Sequence, residues 1–151
     1  MKRVMITGAD GQLGFELRRT TPESFVLLAL TRSELDITSR DSVFACITKE
    51  QPAVIINCAA YTAVDKAESE IEKAHAVNQT GPRYLAEAAR QHNALLVHIS
   101  TDFVFDGSQG RPYSIEDRPN PLSVYGKSKL AGENEVMSSG VEAFIVRTAW
   151  L

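Results

Sequence analysis

No uninterrupted apolar run in this chain approaches the roughly 20 residues that a membrane-spanning helix needs. Basic residues are in deficit, 16 Lys and Arg against 19 Asp and Glu, and the net charge of −3 withholds the positive field that sequence-independent nucleic-acid binding requires. Cysteine is scarce. Cys46 and Cys58 form no metal-ligand pattern, and the N-terminus MKRVMIT turns polar and Gly-rich too soon to be a secretory signal. Reduced thiols in a cytoplasmic protein are therefore expected. His75, His92 and His98 show no ligand spacing, so packing or surface roles are expected and no metal. Internal repeats and low-complexity linkers are absent as well. What remains is 151 residues, 44% apolar and 23% charged, which is the composition of one globular domain.

Two hydrophobic periods alternate along the chain. Lys2–Thr7 and Phe25–Leu30 are short continuous apolar runs, the pattern of parallel strands buried on both faces. Ala53–Asn57, Leu95–Ser100 and Ala143–Ala149 read the same way, and Leu35–Ile37 reads as a short extended piece at the sheet edge. Helical spacing occupies Gln12–Thr20, with Leu13 and Leu17 on one side. Ser39 is placed to cap a helix carrying Val43, Phe44 and Ile47. Asp65 and Glu68 have capping-box spacing ahead of an acidic helix to about Val77. Further helices carry Tyr84, Leu85 and Ala88, and run from about Val124 to Ser138. Thr101–Leu122, rich in Gly, Pro and Asp, reads as a loop. This order predicts a doubly wound, Rossmann-like α/β fold with a parallel sheet. A strand as the last element is an unusual end for a domain. Residues 1–151 are thus expected to be a fragment of a longer chain.

Gly8, Gly11 and Gly14 punctuate the turn from the first strand into the first helix. A helix N-terminus offers unpaired N–H groups and a positive dipole end, which suit a pyrophosphate. Gly8 would permit the tight turn, Gly11 backbone approach to the phosphates, and Gly14 close packing. The spacing is G-x-x-G-x-x-G, and a glycine triplet could also be plain turn chemistry. The second strand ends Ala29-Leu30-Thr31-Arg32, with no carboxylate before Glu34. Arg32 is accordingly a candidate partner for the 2′-phosphate of NADP, or else a solvated surface arginine. Asp36 could accept a hydrogen bond from adenine, or serve as a carboxylate ahead of the next helix.

Tyr125 and Lys129 stand four apart on a predicted helix and share a face. An adjacent ammonium is expected to lower the phenol's pKa from its usual value of about 10, so the pair could pass a proton to a carbonyl. Ser100, Thr101 and Asp102 lie at the carboxyl end of a strand, where open α/β sheets bind ligands, though Ser-Thr-Asp is also good turn chemistry.

Taken together these motifs resemble the extended short-chain dehydrogenase/reductases, and within them the dTDP-4-dehydrorhamnose reductase family. Gly8–Gly14, the block Asn57-Cys58-Ala59-Ala60-Tyr61-Thr62-Ala63-Val64-Asp65-Lys66-Ala67-Glu68, Ser100–Gly107 and Tyr125–Glu133 carry the resemblance. It implies NAD(P)H-dependent reduction of the 4-keto group of a nucleotide-linked 6-deoxyhexose, with residues 1–151 as the NAD(P)-binding Rossmann-like domain and a substrate domain following Leu151. Arg32 favours NADPH, with NADH still used. Tyr125 would donate the proton, Lys129 would hold the nicotinamide ribose, and Thr101 would orient the sugar C4 oxygen. Gly11, Gln12, Leu13, Asp36, Ile37, Ala60, Tyr61 and Thr62 would contact cofactor; Thr101, Asp102 and Trp150 would contact the sugar nucleotide. A homodimer is compatible with this picture. The similar sugar-nucleotide 4,6-dehydratases place Asp-Glu after the active-site threonine, where this chain has Asp102-Phe103, so plain reduction is expected. The alternative is a non-catalytic regulatory subunit resembling the β subunit of methionine adenosyltransferase, which shares the Thr101–Gly107 block. Tyr61-Thr62-Ala63-Val64-Asp65 looks like the reductases instead.

Overall fold

The computed structural model describes residues 1–149. Five strands, β1 (Lys2–Thr7), β2 (Phe25–Leu30), β3 (Val54–Asn57), β4 (Leu95–Thr101) and β5 (Ala143–Thr148), pair in parallel in the order β2-β1-β3-β4-β5. Helices α1 (Gln12–Thr20), α2 (Arg40–Glu50), α5 (Gly81–Gln91) and α6 (Val124–Ser138) make the long crossovers, with two shorter helices, α3 (Val64–Ala67) and α4 (Ile71–His75), before α5. This is the Rossmann-like α/β architecture expected from the alternating periods.

The apolar runs become strands, but burial on both faces holds only for Val4–Thr7 of β1; in β3 and β4 buried residues alternate with half-buried ones. Met5 of β1, Ile55 of β3 and Leu96 of β4 are wholly buried. Val43 and Ile47 of α2 and Leu85, Ala88 and Ala89 of α5 pack with them. Burying a side chain of the size of Leu or Ile contributes about 1.5–3 kcal/mol, so this layer supplies most of the driving force. The edge strands use their pattern only in part: Phe25, Val26, Phe144 and Val146 remain exposed.

Strand order reverses between β1 and β3, which opens a crevice beyond their carboxyl ends. Polar side chains brace it from beneath. Thr7 Oγ1 donates to Asn57 Oδ1 at 2.7 Å, and Asn57 Nδ2 donates to His98 Nδ1 at 3.1 Å. His98 is completely buried, and burial pushes its imidazole down to about 3, with the Lys129 charge acting the same way. The ring is therefore neutral, Nδ1 accepts, and the buried Nε2 meets no partner among the described residues. His75 instead meets Gln79, and His92 meets Thr48.

Two local expectations are corrected. Leu35–Ile37 is no edge strand but part of a turn run: Asp36 Oδ1 accepts the Thr38 N–H at 2.9 Å, while Leu35 and Ile37 fold back into the core. The Asp65–Glu68 spacing is no capping box. Ala63 occupies the N-cap of α3 with no side-chain bond, and Asp65 lies inside that helix. Glu68 turns away to accept the N–H of Val124, at 2.8 Å, and so caps α6 from outside. The expected acidic helix is also interrupted after α3. It resumes as α4 and continues through a π-helical turn, Ala76–Thr80, directly into α5.

Candidate active site

Gly8 has φ +66°, and an added Cβ would stand 2.7 Å from the Ala59 backbone. At Gly14 an added Cβ would stand 2.5 Å from the Gly8 carbonyl oxygen and 2.7 Å from Ala9 Cα. The turn is thus wedged between the chain after β3 and the first turn of α1, and Gly14 packs on the turn itself rather than on a strand. Gly11 is the N-cap of α1 and offers no side-chain bond. The first amides of α1 consequently lack intrahelical partners and face the crevice through Gln12 and Leu13.

The crevice has two lobes that share Asp10, Gly11, Cys58 and Ala60. The smaller, about 260 Å³, is walled by Arg32, Asp36, Ile37, Tyr61 and Lys73. The Asp36 carboxyl sits below its usual range, first because of the Thr38 hydroxyl and N–H bonds and then because Arg32 is near. Across the lobe, Tyr61 donates its hydroxyl to Glu70 at 2.6 Å, and Lys73 reaches the same oxygen at 3.2 Å. That bond pushes the Tyr61 phenol up to about 12.

The larger lobe, about 800 Å³, brings Gln12, Leu13, Thr62, Thr101, Asp102, Tyr125 and Lys129 together. Ser123 starts α6 by accepting the Gly126 N–H at 3.0 Å, and this sets Tyr125 and Lys129 on the buried, crevice-facing side. Thr101 closes β4 and begins a short 3₁₀ turn, Asp102–Val104, rather than opening an irregular loop. Its hydroxyl donates to Asp102 at 3.1 Å and accepts the Phe103 N–H at 3.2 Å. The Phe103 ring meets Tyr125 edge-on, with centroids 5.5 Å apart.

The expected ammonium–phenol coupling takes another form. Lys129 donates to the Ile99 carbonyl at 2.6 Å, and burial pulls its ammonium down to about 8 against the opposing pull of Glu133 and Cys58. Tyr125 is pushed upward by burial, with Thr101 lowering it and Asp102 raising it. Side-chain burial outweighs the four-residue spacing, so the phenol stays protonated. An ammonium has three donors, and Ile99 takes one. The others, the free helix amides and the absence of any Cβ at Gly11 fit a dinucleotide with ribose hydroxyls and a pyrophosphate.

Every expected site residue except Trp150 lines one lobe or the other or, like Gly8 and Gly14, shapes the turn between them; Trp150 lies outside the described residues. Among the described residues no cluster of His, Cys, Asp or Glu could hold a metal ion, and no helix is long and apolar enough to cross a membrane. Asn78, Lys73, Glu133 and Arg147 join the site without having been named as candidates, and Ser100, expected at the strand end, donates its hydroxyl to Glu133. Of those four, Glu133 carried a signal in the sequence, as the next position on the Tyr125–Lys129 stripe.

Known proteins share both the sequence and this shape. A dTDP-4-dehydrorhamnose reductase of Aggregatibacter actinomycetemcomitans is 49% identical over 152 residues, covering 99% of this chain and 52% of that protein. The crystal structure of a Clostridium acetobutylicum dTDP-4-dehydrorhamnose reductase superposes with a TM-score of 0.96 at 44% identity, over 98% of this chain and 53% of that one. The Bacillus anthracis dTDP-4-dehydrorhamnose reductase, solved in complex with NADP, gives 0.97 at 43% identity, over 99% and 54%. The chain spans about half the length of these relatives. The RmlD substrate binding domain family matches residues 1–151, and the chain belongs to that family.

Proposed function

We propose that residues 1–151 are the cofactor-binding and catalytic half of an NAD(P)H-dependent reductase acting on the 4-keto group of a nucleotide-linked 6-deoxy sugar, with dTDP-4-dehydrorhamnose as substrate and the cytoplasm as its setting. The observation that carries this reading is the convergence of Thr101, Tyr125 and Lys129 on the wall that also presents the open amides of α1. When bound along the two lobes, NADPH or NADH supplies the hydride. Gln12 and Leu13 would hold the pyrophosphate by backbone N–H groups, while Gly11, whose own N–H donates to the Gly8 carbonyl at 3.0 Å, would let it approach. Arg32, Asp36, Ile37, Ala60, Tyr61 and Thr62 line the path on either side. The buried Lys129 offers its free donors to the nicotinamide ribose, and its charge favours the phenolate that Tyr125 becomes after giving up its proton. Tyr125, kept protonated by burial, is in the state a proton donor to the sugar C4 oxygen needs. Thr101 orients that oxygen, and Asp102 touches the sugar. Phe103 stands where a dehydratase would have a glutamate, which favours reduction over elimination of water.

The test is turnover in the chain extended by the second half that its relatives possess. NADPH should be oxidised on addition of a dTDP-4-keto-6-deoxy sugar. Tyr125→Phe should lower kcat about 10²–10⁴-fold with cofactor affinity nearly unchanged. A variant that keeps most of its turnover removes Tyr125 from the role. No turnover in the parent, together with tight association to another enzyme, would favour a regulatory subunit instead. The 151-residue chain alone should bind cofactor in a calorimetric titration without converting sugar.

A further inference from the structure

Tyr125, Lys129 and Glu133 follow one another at four-residue spacing on α6, yet only the first two open onto the crevice. Glu133 has no exposed surface. Its Oε1 accepts the Ser100 hydroxyl at 2.5 Å and Arg147 Nε at 3.0 Å, and its Oε2 accepts Arg147 Nη2 at 2.6 Å. Ser100 and Arg147 are directly paired across β4 and β5. The next rung of the same ladder is Thr101 with Thr148, and both of those line the crevice.

The grip extends outward. The Arg147 guanidinium lies 5.0 Å over the Phe105 ring, and Phe105 stacks on Tyr113 at 4.1 Å. Tyr113 donates its hydroxyl to Asp106 at 3.0 Å. One carboxylate on α6 therefore holds two strand ends and, through Arg147, the loop that leaves Thr101. Stability alone does not account for such a group, because a buried ion pair is often no more stabilising than apolar packing of the same volume. A fully satisfied buried network does fix one geometry.

We infer that Glu133 is a positioning residue of the reductase reaction proposed above: by holding Ser100 and Arg147 it sets where Thr101 stands relative to Tyr125 and Lys129. The inference rests on that reading, and it assigns Glu133 no contact with substrate or cofactor.

The experiment compares parent, Glu133→Gln, Arg147→Lys and Ser100→Ala in the extended chain, following hydride transfer at saturating substrate, NADPH affinity and thermal midpoint. Displacing a reacting group by 1 Å can cost about 10²-fold, so Glu133→Gln should transfer hydride roughly 10–100-fold more slowly. NADPH affinity should stay within about twofold, because the open amides of α1 do not depend on this group. The kinetic isotope effect from deuterated NADPH should rise as the chemical step becomes limiting. Arg147→Lys and Ser100→Ala each keep the carboxylate and remove one grip, so they should show smaller losses of the same kind. They carry the test if Glu133→Gln does not fold. Variants with lowered thermal midpoints but parental kcat and isotope effect would make the group merely structural and overturn the inference. An inactive parent would sink the reductase reading, and this inference with it.

Discussion

Asn78 bonds both backbone groups of Tyr61: its Oδ1 accepts the Tyr61 N–H at 2.8 Å, and its Nδ2 donates to the Tyr61 carbonyl at 3.0 Å. Nδ2 also reaches Ser128 Oγ at 3.0 Å, and that hydroxyl donates to the Tyr125 carbonyl at 2.7 Å. A side-chain amide thus replaces a neighbouring strand for the chain after β3 and ties it to α6. The π-helical turn makes this arrangement, since Asn78 sits within Ala76–Thr80 against Gly132, where any Cβ would meet the Asn78 carbonyl oxygen.

Asn78→Ala should leave the Tyr61 N–H and carbonyl and the Ser128 hydroxyl without this partner. Each unsatisfied buried polar group costs about 1–3 kcal/mol, and water can reach part of the Tyr61 backbone, so a net loss of about 2–3 kcal/mol is expected in urea unfolding. Cofactor binding should weaken as well, because Tyr61 lines the smaller lobe. A variant of parental stability would show that the amide bonds are replaceable by water.

Gly8 and Gly107 separate two kinds of glycine requirement. Both have positive φ, +66° and +75°, but an added Cβ at Gly8 meets Ala59 at 2.7 Å whereas at Gly107 nothing lies within 4 Å. Gly107→Ala should cost only the left-handed backbone penalty, about 1–2 kcal/mol. Gly8→Ala adds a backbone clash with no flexible neighbour to yield, so its thermal midpoint should fall further and cofactor binding should be lost. Equal midpoints for the two variants would contradict the crowding at Ala59.

The strands were legible because a short continuous apolar run such as Lys2–Thr7 has few other uses, although only β1 carries a continuous buried stretch and β3 and β4 alternate buried with half-buried residues. The glycine turn and the Ser39 cap were legible because their requirements are local. Leu35–Ile37 misled because alternating apolar residues also suit a turn that tucks two side chains into the core. Asn78, Glu133 and Arg147 could not be assigned partners from the sequence. Ser128 lies 50 positions from Asn78, and Ser100 lies 33 from Glu133, so only the folded topology brings them together.

His98 should make the protein acid-labile before its carboxylates titrate. Its folded-state pKa, about 3, lies below the ordinary 6.5, so between those values the unfolded chain binds a proton that the folded chain refuses. The His98 contribution to stability is fully present above the unfolded pKa of about 6.5 and is lost below it at a rate that approaches about 1.4 kcal/mol per pH unit. Urea unfolding at pH 7.5, 6.0 and 5.0 should show this slope, and His98→Gln should flatten it across that window. An unchanged slope in the variant would assign the acid sensitivity elsewhere.

Arg32 should set the cofactor preference. It lines the smaller lobe beside Asp36, with Lys73 on the same wall. The carboxylate nearest in sequence, Glu34, is turned back onto its own loop: one oxygen accepts both the N–H and the hydroxyl of Thr31, each at 2.8 Å, and these bonds hold the carboxyl below its usual range. Glu34 is therefore an ionised acceptor committed to Thr31, and it is not among the residues that line the lobe. A charge-assisted guanidinium–phosphate bond contributes about 1.5–3 kcal/mol, and Arg32 is exposed, so the lower end applies, roughly a tenfold preference for NADPH. Calorimetric titration of Arg32→Ala should find NADPH affinity reduced toward that of NADH, with NADH unchanged. Raising the salt concentration should shrink the parental preference in the same direction, because exposed charges are screened. Equal losses for both cofactors would make Arg32 a structural residue of the turn after β2 and leave the preference to Lys73.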